Sequence, residues 1–287
     1  MTNPTETMTN ATLTSRTLRI GGFRTKFIEA GDPTAPAVVF VHDGAFGGDG
    51  HNTFGEVMRR LAGSYHVLAP DLLGWGGTDK VVFLDRSPYA SRIEHIAAFC
   101  DTLGLDDAVF VGNSFGGSLV LRAATGPHPA WPMRAAVSIS GTGGPFRLPK
   151  ATAAIGDYTP SIEDAHKLTG WLVEDAGTVE EHVRNRYRAS MIPGHWEAMN
   201  ALRLRNPSLP EPAPRTDPFP EDLAYSPVPM LLIEGSKDRM LEPGWSEKLA
   251  GHNPDIERMV IDAAHSPNID QPEFTAGLIR NFLGTLA

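Results

Sequence analysis

Residues 109–117, Val-Phe-Val-Gly-Asn-Ser-Phe-Gly-Gly, compress a strand, a sharp turn and the start of a helix into one short stretch. The β-branched and aromatic run breaks at Gly112-Asn113-Ser114-Phe115-Gly116, and a helix-compatible segment follows from Ser118 to Ala124. A turn this tight holds the serine backbone in a strained conformation and projects its hydroxyl. Only small residues fit at Gly112 and Gly116, because strand and helix backbones pass close together there. The stretch therefore demands a strand feeding directly into a helix. It also makes Ser114 a candidate nucleophile at the strand's carboxyl end.

The rest of the chain repeats this alternation. Strands are expected at Leu18–Ile20, Arg24–Glu29, Val38–Val41, His66–Ala69, Val109–Val111, Ala135–Ile139, Pro229–Ile233 and Arg258–Ile261. Several are continuously apolar, as in strands covered on both faces. Between them Phe54, Val57, Met58 and Leu61 recur at helical spacing, as do Ile93, Ile96, Ala97 and Cys100; Phe274, Leu278 and Phe282 mark a last helix. The pattern predicts a mostly parallel, eight-stranded α/β sheet flanked by helices. Gly21-Gly22 should join the first two strands as an antiparallel hairpin at one edge.

The alternation fails between 145 and 221. There Thr178-x-x-Glu181 reads as a capping box opening a helix to about Ser190. Ser161 should cap another helix running to Glu174, and Gly194 to Leu204 reads as a third. Pro207, Pro210, Pro212, Pro214, Pro218 and Pro220 then exclude regular structure. The expected organisation is a disordered tail over 1–16, a core of 17–144 and 222–287, and a helical lid inserted at 145–221. The polar tail lacks the apolar centre of a signal peptide, and the longest apolar runs are strand-sized, far below the roughly 20 residues of a membrane span.

A net charge of −9, with no basic run, argues against nucleic acid or an anionic membrane as partner. The single cysteine, Cys100, permits no internal disulfide and suits a cytoplasmic location. It shares an apolar helical face with Ile93 and Ile96, so core filling is its expected role. No histidine pair has HxxxH spacing and one cysteine cannot build a thiolate cluster, so no metal site is implied. Nothing in the chain distinguishes a monomer from a homo-oligomer.

A serine hydroxyl needs a base, and the base an orienting acid. Downstream of Ser114, the strand ending at Ile233 runs into Glu234-Gly235-Ser236-Lys237-Asp238, and the last strand into Asp262-Ala263-Ala264-His265. Asp238 and His265 thus fall on loops just past strand ends, where open α/β sheets place their sites. Glu234 and Asp262 are rival acids; the first still belongs to its strand, and the second is too close in sequence to His265 to orient it. The N–H groups of Phe115 and Gly44 are the expected oxyanion donors, with Ala45 as the alternative to Gly44. The glycines of His42-Asp43-Gly44-Ala45-Phe46-Gly47-Gly48 would let the main chain approach a substrate.

Taken together these motifs resemble the α/β-hydrolase superfamily over nearly the whole chain after residue 17, with Pro70–Asp79 similar to its usual structural loop after the fourth strand. Within it, Gly-Asn-Ser-Phe-Gly-Gly at 112–117, the His42 loop with Asn52, and Arg186-Tyr187-Arg188-Ala189-Ser190 are similar to the meta-cleavage product hydrolases. Those cofactor-free enzymes cut carbon–carbon bonds in vinylogous diketone acids from aromatic ring fission. The resemblance implies an anionic small-molecule substrate whose carboxylate end meets Arg186, with Asn113, His42 and Asn52 also in the substrate site; Trp196 reads either as a substrate-pocket residue or as part of the lid core. Three places depart from that family: Asp43 stands where it usually has Gly, the Pro it usually has near Phe46 is missing, and Ser266 follows the histidine where it commonly has Trp. Ala-His-Ser-Pro at 264–267 looks more like esterase or dehalogenase relatives. A carboxylesterase or lactonase with the same triad is therefore the alternative, and a hydrolase-like ligand receptor a more distant one.

Overall fold

The computed structural model describes residues 11–201, 204, 208 and 217–286. The apolar runs form one eight-stranded sheet: β1 (Thr14–Ile20), β2 (Phe23–Ala30), β3 (Ala37–Val41), β4 (His66–Pro70), β5 (Ala108–Asn113), β6 (Met133–Ile139), β7 (Met230–Gly235) and β8 (Ile256–Ile261). Their order is β1-β2-β4-β3-β5-β6-β7-β8. β2 pairs antiparallel with both β1 and β4, and the other neighbours are parallel. Because successive side chains alternate across a strand, β3 feeds two cores. Val39 and Val41 pack with Phe27, Phe110 and Leu232 on one face. Val38 and Phe40 pack with Val109, Val111 and Leu231 on the other.

Helices α1 (Gly50–Leu61), α2 (Pro88–Leu103) and α3 (Phe115–Ala124) follow β3, β4 and β5. α1 buries Phe54, Val57, Met58 and Leu61 on one face of the sheet, while α2 and α3 cover the other. From β3 the chain steps outward to β4, then returns to place β5 on β3's opposite side. That reversal opens a crevice at the carboxyl ends of β3 and β5, and Ser114 and the His42 loop flank it.

Among the described residues four α-helices lie between β6 and β7: α4 (Pro149–Gly156), α5 (Ile162–Leu172), α6 (Glu180–Ser190) and α7 (His195–Ala201). Ser161 caps α5 by accepting from Asp164 N–H at 3.0 Å, and the helix stops at Leu172, short of Glu174. The Thr178 capping box does not form. Thr178 donates its hydroxyl to Asp175 O, and Asp175 itself caps a 3₁₀ turn at Ala176–Val179 that leads into α6. α7 ends at Ala201 rather than Leu204. Pro207, Pro210, Pro212 and Pro214 lie outside the described residues, whereas Pro218 and Pro220 precede a 3₁₀ turn at Glu221–Tyr225.

β7 leads to α8 (Trp245–Ala250), and β8 to α9 (Pro267–Asp270) and α10 (Pro272–Thr285). Phe274 is exposed, and α10 turns Thr275, Ala276, Ile279 and Phe282 inward instead of the expected Phe274 stripe. The tail assignment also ends too late, because Thr14, Ser15 and Arg16 already pair with Glu29, Ile28 and Phe27. Their side chains are exposed, so the strand is held by its ladder and carries no burial signal. Cys100 is buried as expected, and burial pushes its thiol up to about 12. No helix among the described residues is long and apolar enough to cross a membrane.

Candidate active site

Ser114 sits between β5 and α3 at φ 55° and ψ −114°, a left-handed conformation that costs a side-chain-bearing residue energy. Its N–H is anchored to Ile139 O at 2.8 Å. A β-carbon at Gly112 would lie 2.5 Å from Gly117 N, and one at Gly116 would lie 2.5 Å from His42 O. The glycines are thus required by backbone approach, as the sequence implied. The turn leaves Ser114 nearly enclosed.

Asp238 follows β7, its N–H bonded to Gly235 O. One carboxylate oxygen accepts from Met240 N–H at 2.7 Å, and the other pairs with His265 Nδ1 at 2.7 Å. Burial alone would raise the Asp238 carboxyl. The adjoining imidazole and the N–H groups of Met240 and Leu241 outweigh it and hold the group below the usual carboxylate range. An ionised Asp238 fixes the tautomer: Nδ1–H donates to it, leaving Nε2 as the basic atom. That Nε2 is buried and has no hydrogen-bond partner among the described residues. The rivals are occupied elsewhere. Glu234 accepts from Gly244 N–H and from Ser246, and Asp262 is exposed and paired with Lys237.

Asn113 ties these parts together. Its Nδ2 donates to Ile139 O and to His265 O, both at 3.2 Å, and its Oδ1 accepts from Ser266 Oγ at 2.9 Å. The residue preceding the serine therefore clamps the histidine's own backbone. Asn113 is fully buried, and its side-chain amide is occupied by these protein partners. His42 is occupied in the same way. Its Nδ1 donates to Asp43 O at 2.6 Å while Nε2 accepts from Leu72 N–H at 2.9 Å, and burial keeps it neutral.

The His42 loop brings Gly44 against Phe115, where an added β-carbon would lie 2.6 Å from Phe115 Cβ. Among the described residues neither Gly44 N–H nor Phe115 N–H has an acceptor. Ala45 N–H is taken by Asp43 Oδ1 at 2.9 Å, which removes the alternative donor. Asn52 braces the loop by donating to Gly47 O and Asp49.

Arg186, the expected carboxylate clamp, is fully buried and already paired. Its Nη1 and Nη2 meet both Asp43 oxygens at 3.2 and 2.9 Å, Nη1 also donates to Phe46 O, and Nε donates to His182. Asp43, the residue where the family resemblance fails, consumes it. Trp196 is 41% exposed, and its indole N–H donates to Tyr158 O on the outside of the insertion. His195, which no motif marks, is a second tie between insertion and core. Its Nε2 accepts from Gly47 N–H and its Nδ1 donates to Gly74 O, both at 2.9 Å.

Burial lowers the His195 imidazole to about 4. The folded state thus resists a proton that the unfolded chain accepts near pH 6.5, and stability falls as pH drops from about 6.5 to about 4. The loss attributable to this residue is on the order of 3 kcal/mol. Urea titrations at pH 7 and pH 4.5 should show it. The difference should shrink in His195→Gln, though not vanish, because His182 and His95 are shifted in the same direction.

A cavity of about 170 Å³ opens over Ser114. Gly44 and Phe115 form its floor, and Trp75, Ile155, Leu172 and Met240 supply an apolar wall. The wall residues come from four separated segments, and periodicity alone could not assemble them. The same architecture is found in known proteins. A model of the alpha/beta hydrolase family matches residues 38–278, and the chain belongs to that family and is a hydrolase. It is similar to the 2-hydroxymuconate semialdehyde hydrolase of Pseudomonas putida, 28% identical over 276 residues and spanning 93% of each chain. The 2-hydroxy-6-oxononadienedioate/2-hydroxy-6-oxononatrienedioate hydrolase of Burkholderia vietnamiensis is 27% identical over 78% of each chain. The solved meta-cleavage product hydrolase of Pseudomonas fluorescens superposes with a TM-score of 0.81 at 26% identity, over 95% of this chain and 98% of its own.

Proposed function

We propose that the protein is a serine-dependent hydrolase whose catalytic residues are Ser114, His265 and Asp238, and that it cleaves a carbon–carbon bond in a vinylogous diketone acid. The observation that carries the serine chemistry is the unpartnered, buried Nε2 of His265. Asp238 locks the ring in its basic tautomer, and the backbone carbonyl of His265 accepts from Asn113, the residue beside Ser114. In this reading Nε2 takes the hydroxyl proton as Oγ bonds to the substrate carbonyl carbon. The resulting oxyanion rests on the N–H groups of Phe115 and Gly44. Collapse restores the carbonyl and breaks the bond to the leaving carbon, which receives the proton from His265. A water deprotonated by the same nitrogen then releases the acyl group. The helices of 145–221 act as a lid over this path. The bond type rests on likeness to hydrolases named for such ring-fission acids.

A second reading, carboxylic ester hydrolysis, is favoured by the sealed Arg186–Asp43 pair, which withdraws the arginine expected to hold a dienoate carboxylate. A side-by-side assay separates the two: loss of the coloured dienoate of a ring-fission product against nitrophenol release from a short ester. Ester preference by orders of magnitude would discard the carbon–carbon reading.

The oxyanion assignment has its own check. Gly44→Ala forces a β-carbon into Phe115 and must shift the loop. We expect kcat to fall by about 10²–10³, the loss typical of one missing donor, with the circular dichroism spectrum retained. An unchanged kcat would move the second donor elsewhere.

A further inference from the structure

With Arg186 sealed, a different cation stands in the cavity over Ser114. Arg147, an exposed residue, is the one charged side chain among the described residues that line it, with apolar neighbours that include Ile155, Leu172 and Met240. In a chain of net charge −9 this cation has no ion pair and no hydrogen bond from its guanidinium among the described residues. The nearby carboxylate of Glu242 is committed to Lys248 at 3.0 Å.

The backbone holds Arg147 in place. Leu148 N–H donates to Met240 O at 2.9 Å, and Glu242 N–H donates to Phe146 O at 2.8 Å. A bridge pairs Arg147 with Leu241, so this short stretch is pinned to the segment just after Asp238. Phe146 sits at φ 65°, a genuine outlier for a bulky residue, and its ring lies 5.0 Å from Lys248 Nζ. Strained backbone retained beside a site is a pointer to function.

We propose that Arg147 is a specificity residue: the group entering this cavity is a short acyl chain with an apolar middle and a carboxylate at its far end, which the guanidinium receives. The size agrees, since a cavity of about 150 Å³ holds one benzene-sized group and this one measures about 170 Å³. An exposed guanidinium lining an apolar cavity pairs with a carboxylate through two parallel bonds. This assignment rests on the serine-hydrolase reading for turnover, but not for binding.

The test compares 4-nitrophenyl hemisuccinate with 4-nitrophenyl butyrate, acyl groups of similar shape that differ in charge. The ratio of their kcat/KM values should favour the acid and should fall about tenfold in Arg147→Ala, as for a lost charge-assisted contact partly screened by solvent. Arg147→Lys should recover part of the ratio, and raising the salt should erode it in the parent protein. Calorimetric binding of N-phenylsuccinamic acid and N-phenylbutanamide to Ser114→Ala protein gives a second readout that needs no turnover. The acid should bind more tightly only while Arg147 is present. A ratio and a binding preference identical with and without Arg147 would overturn the proposal. Arg147-dependent binding of the acid with neither ester hydrolysed would uphold Arg147 and count against the serine chemistry.

Discussion

Ser114→Ala should reduce kcat by roughly 10⁴–10⁶, as in other serine hydrolases stripped of their nucleophile, while the protein stays folded. The elbow geometry depends on Gly112, Gly116 and the Ile139 anchor, not on the hydroxyl. Removing it also relieves no cavity strain, because the side chain is small and faces the pocket. Steady-state kinetics on the preferred substrate from the side-by-side assay, with far-ultraviolet dichroism as control, provides the check. Residual activity well above the uncatalysed rate is expected from the two oxyanion donors. Retention of the full rate would mean that the hydroxyl takes no part in bond making.

Breaking the Asp43–Arg186 pair should give the largest loss of stability. Both side chains are wholly out of water, and removing one partner strands a buried charge at a cost of about 3–5 kcal/mol. Arg186→Ala should accordingly lower Tm by roughly 10 °C for a chain of this size. Replacing both residues with apolar ones, Asp43→Leu with Arg186→Met, should recover much of that stability, since a buried pair and a well-packed apolar contact are often comparable. Activity should not recover with it. Asp43 also fixes Ala45 N–H and Thr53 Oγ, and thereby the curvature that brings Gly44 to Phe115.

The pair carries a pH signature of its own. Burial pushes the Asp43 carboxyl up, but the Arg186 charge and hydrogen bonds more than reverse this, leaving it far below the ordinary range. Its contribution is complete above the unfolded value near 3.9 and fades only as pH falls further. The His195 tie, by contrast, weakens already between about 6.5 and 4. Acid should therefore loosen the insertion in two stages, and a pH series of urea midpoints in Arg186→Ala and His195→Gln would separate them.

The sheet was legible because its strands are apolar on both faces and its turns carry glycine and proline where the chain reverses. Strand β1 announced itself only at Leu18–Ile20, since its first residues make ladder bonds without burying anything. The loop positions of Ser114, Asp238 and His265 could be read because each follows a recognisable strand. The partners of the polar residues near the motifs could not, for one reason. Asn113, His42, Asn52 and Arg186 are polar residues near motifs, and a sequence does not say whether a polar group faces a cavity or satisfies a neighbour. In the fold Asn113 holds His265, His42 holds Leu72, Asn52 holds Gly47, and Arg186 holds Asp43. Asp43 was the visible clue. An acid in a glycine-rich loop deep in a sheet must find a cation, and the insertion's arginines were the available source. Arg147 carried no motif and becomes notable only when the fold places it at the cavity over Ser114.

The most direct trial of the serine chemistry is covalent trapping. A 4-nitrophenyl phosphonate should add one adduct per chain, mapped by mass spectrometry to the peptide holding Ser114. Its rate should collapse in His265→Ala and fall markedly in Asp238→Asn, because oxygen attack requires Nε2 in the basic tautomer. An adduct on another residue, or one formed at the same rate without His265, would contradict the proposed roles of all three side chains.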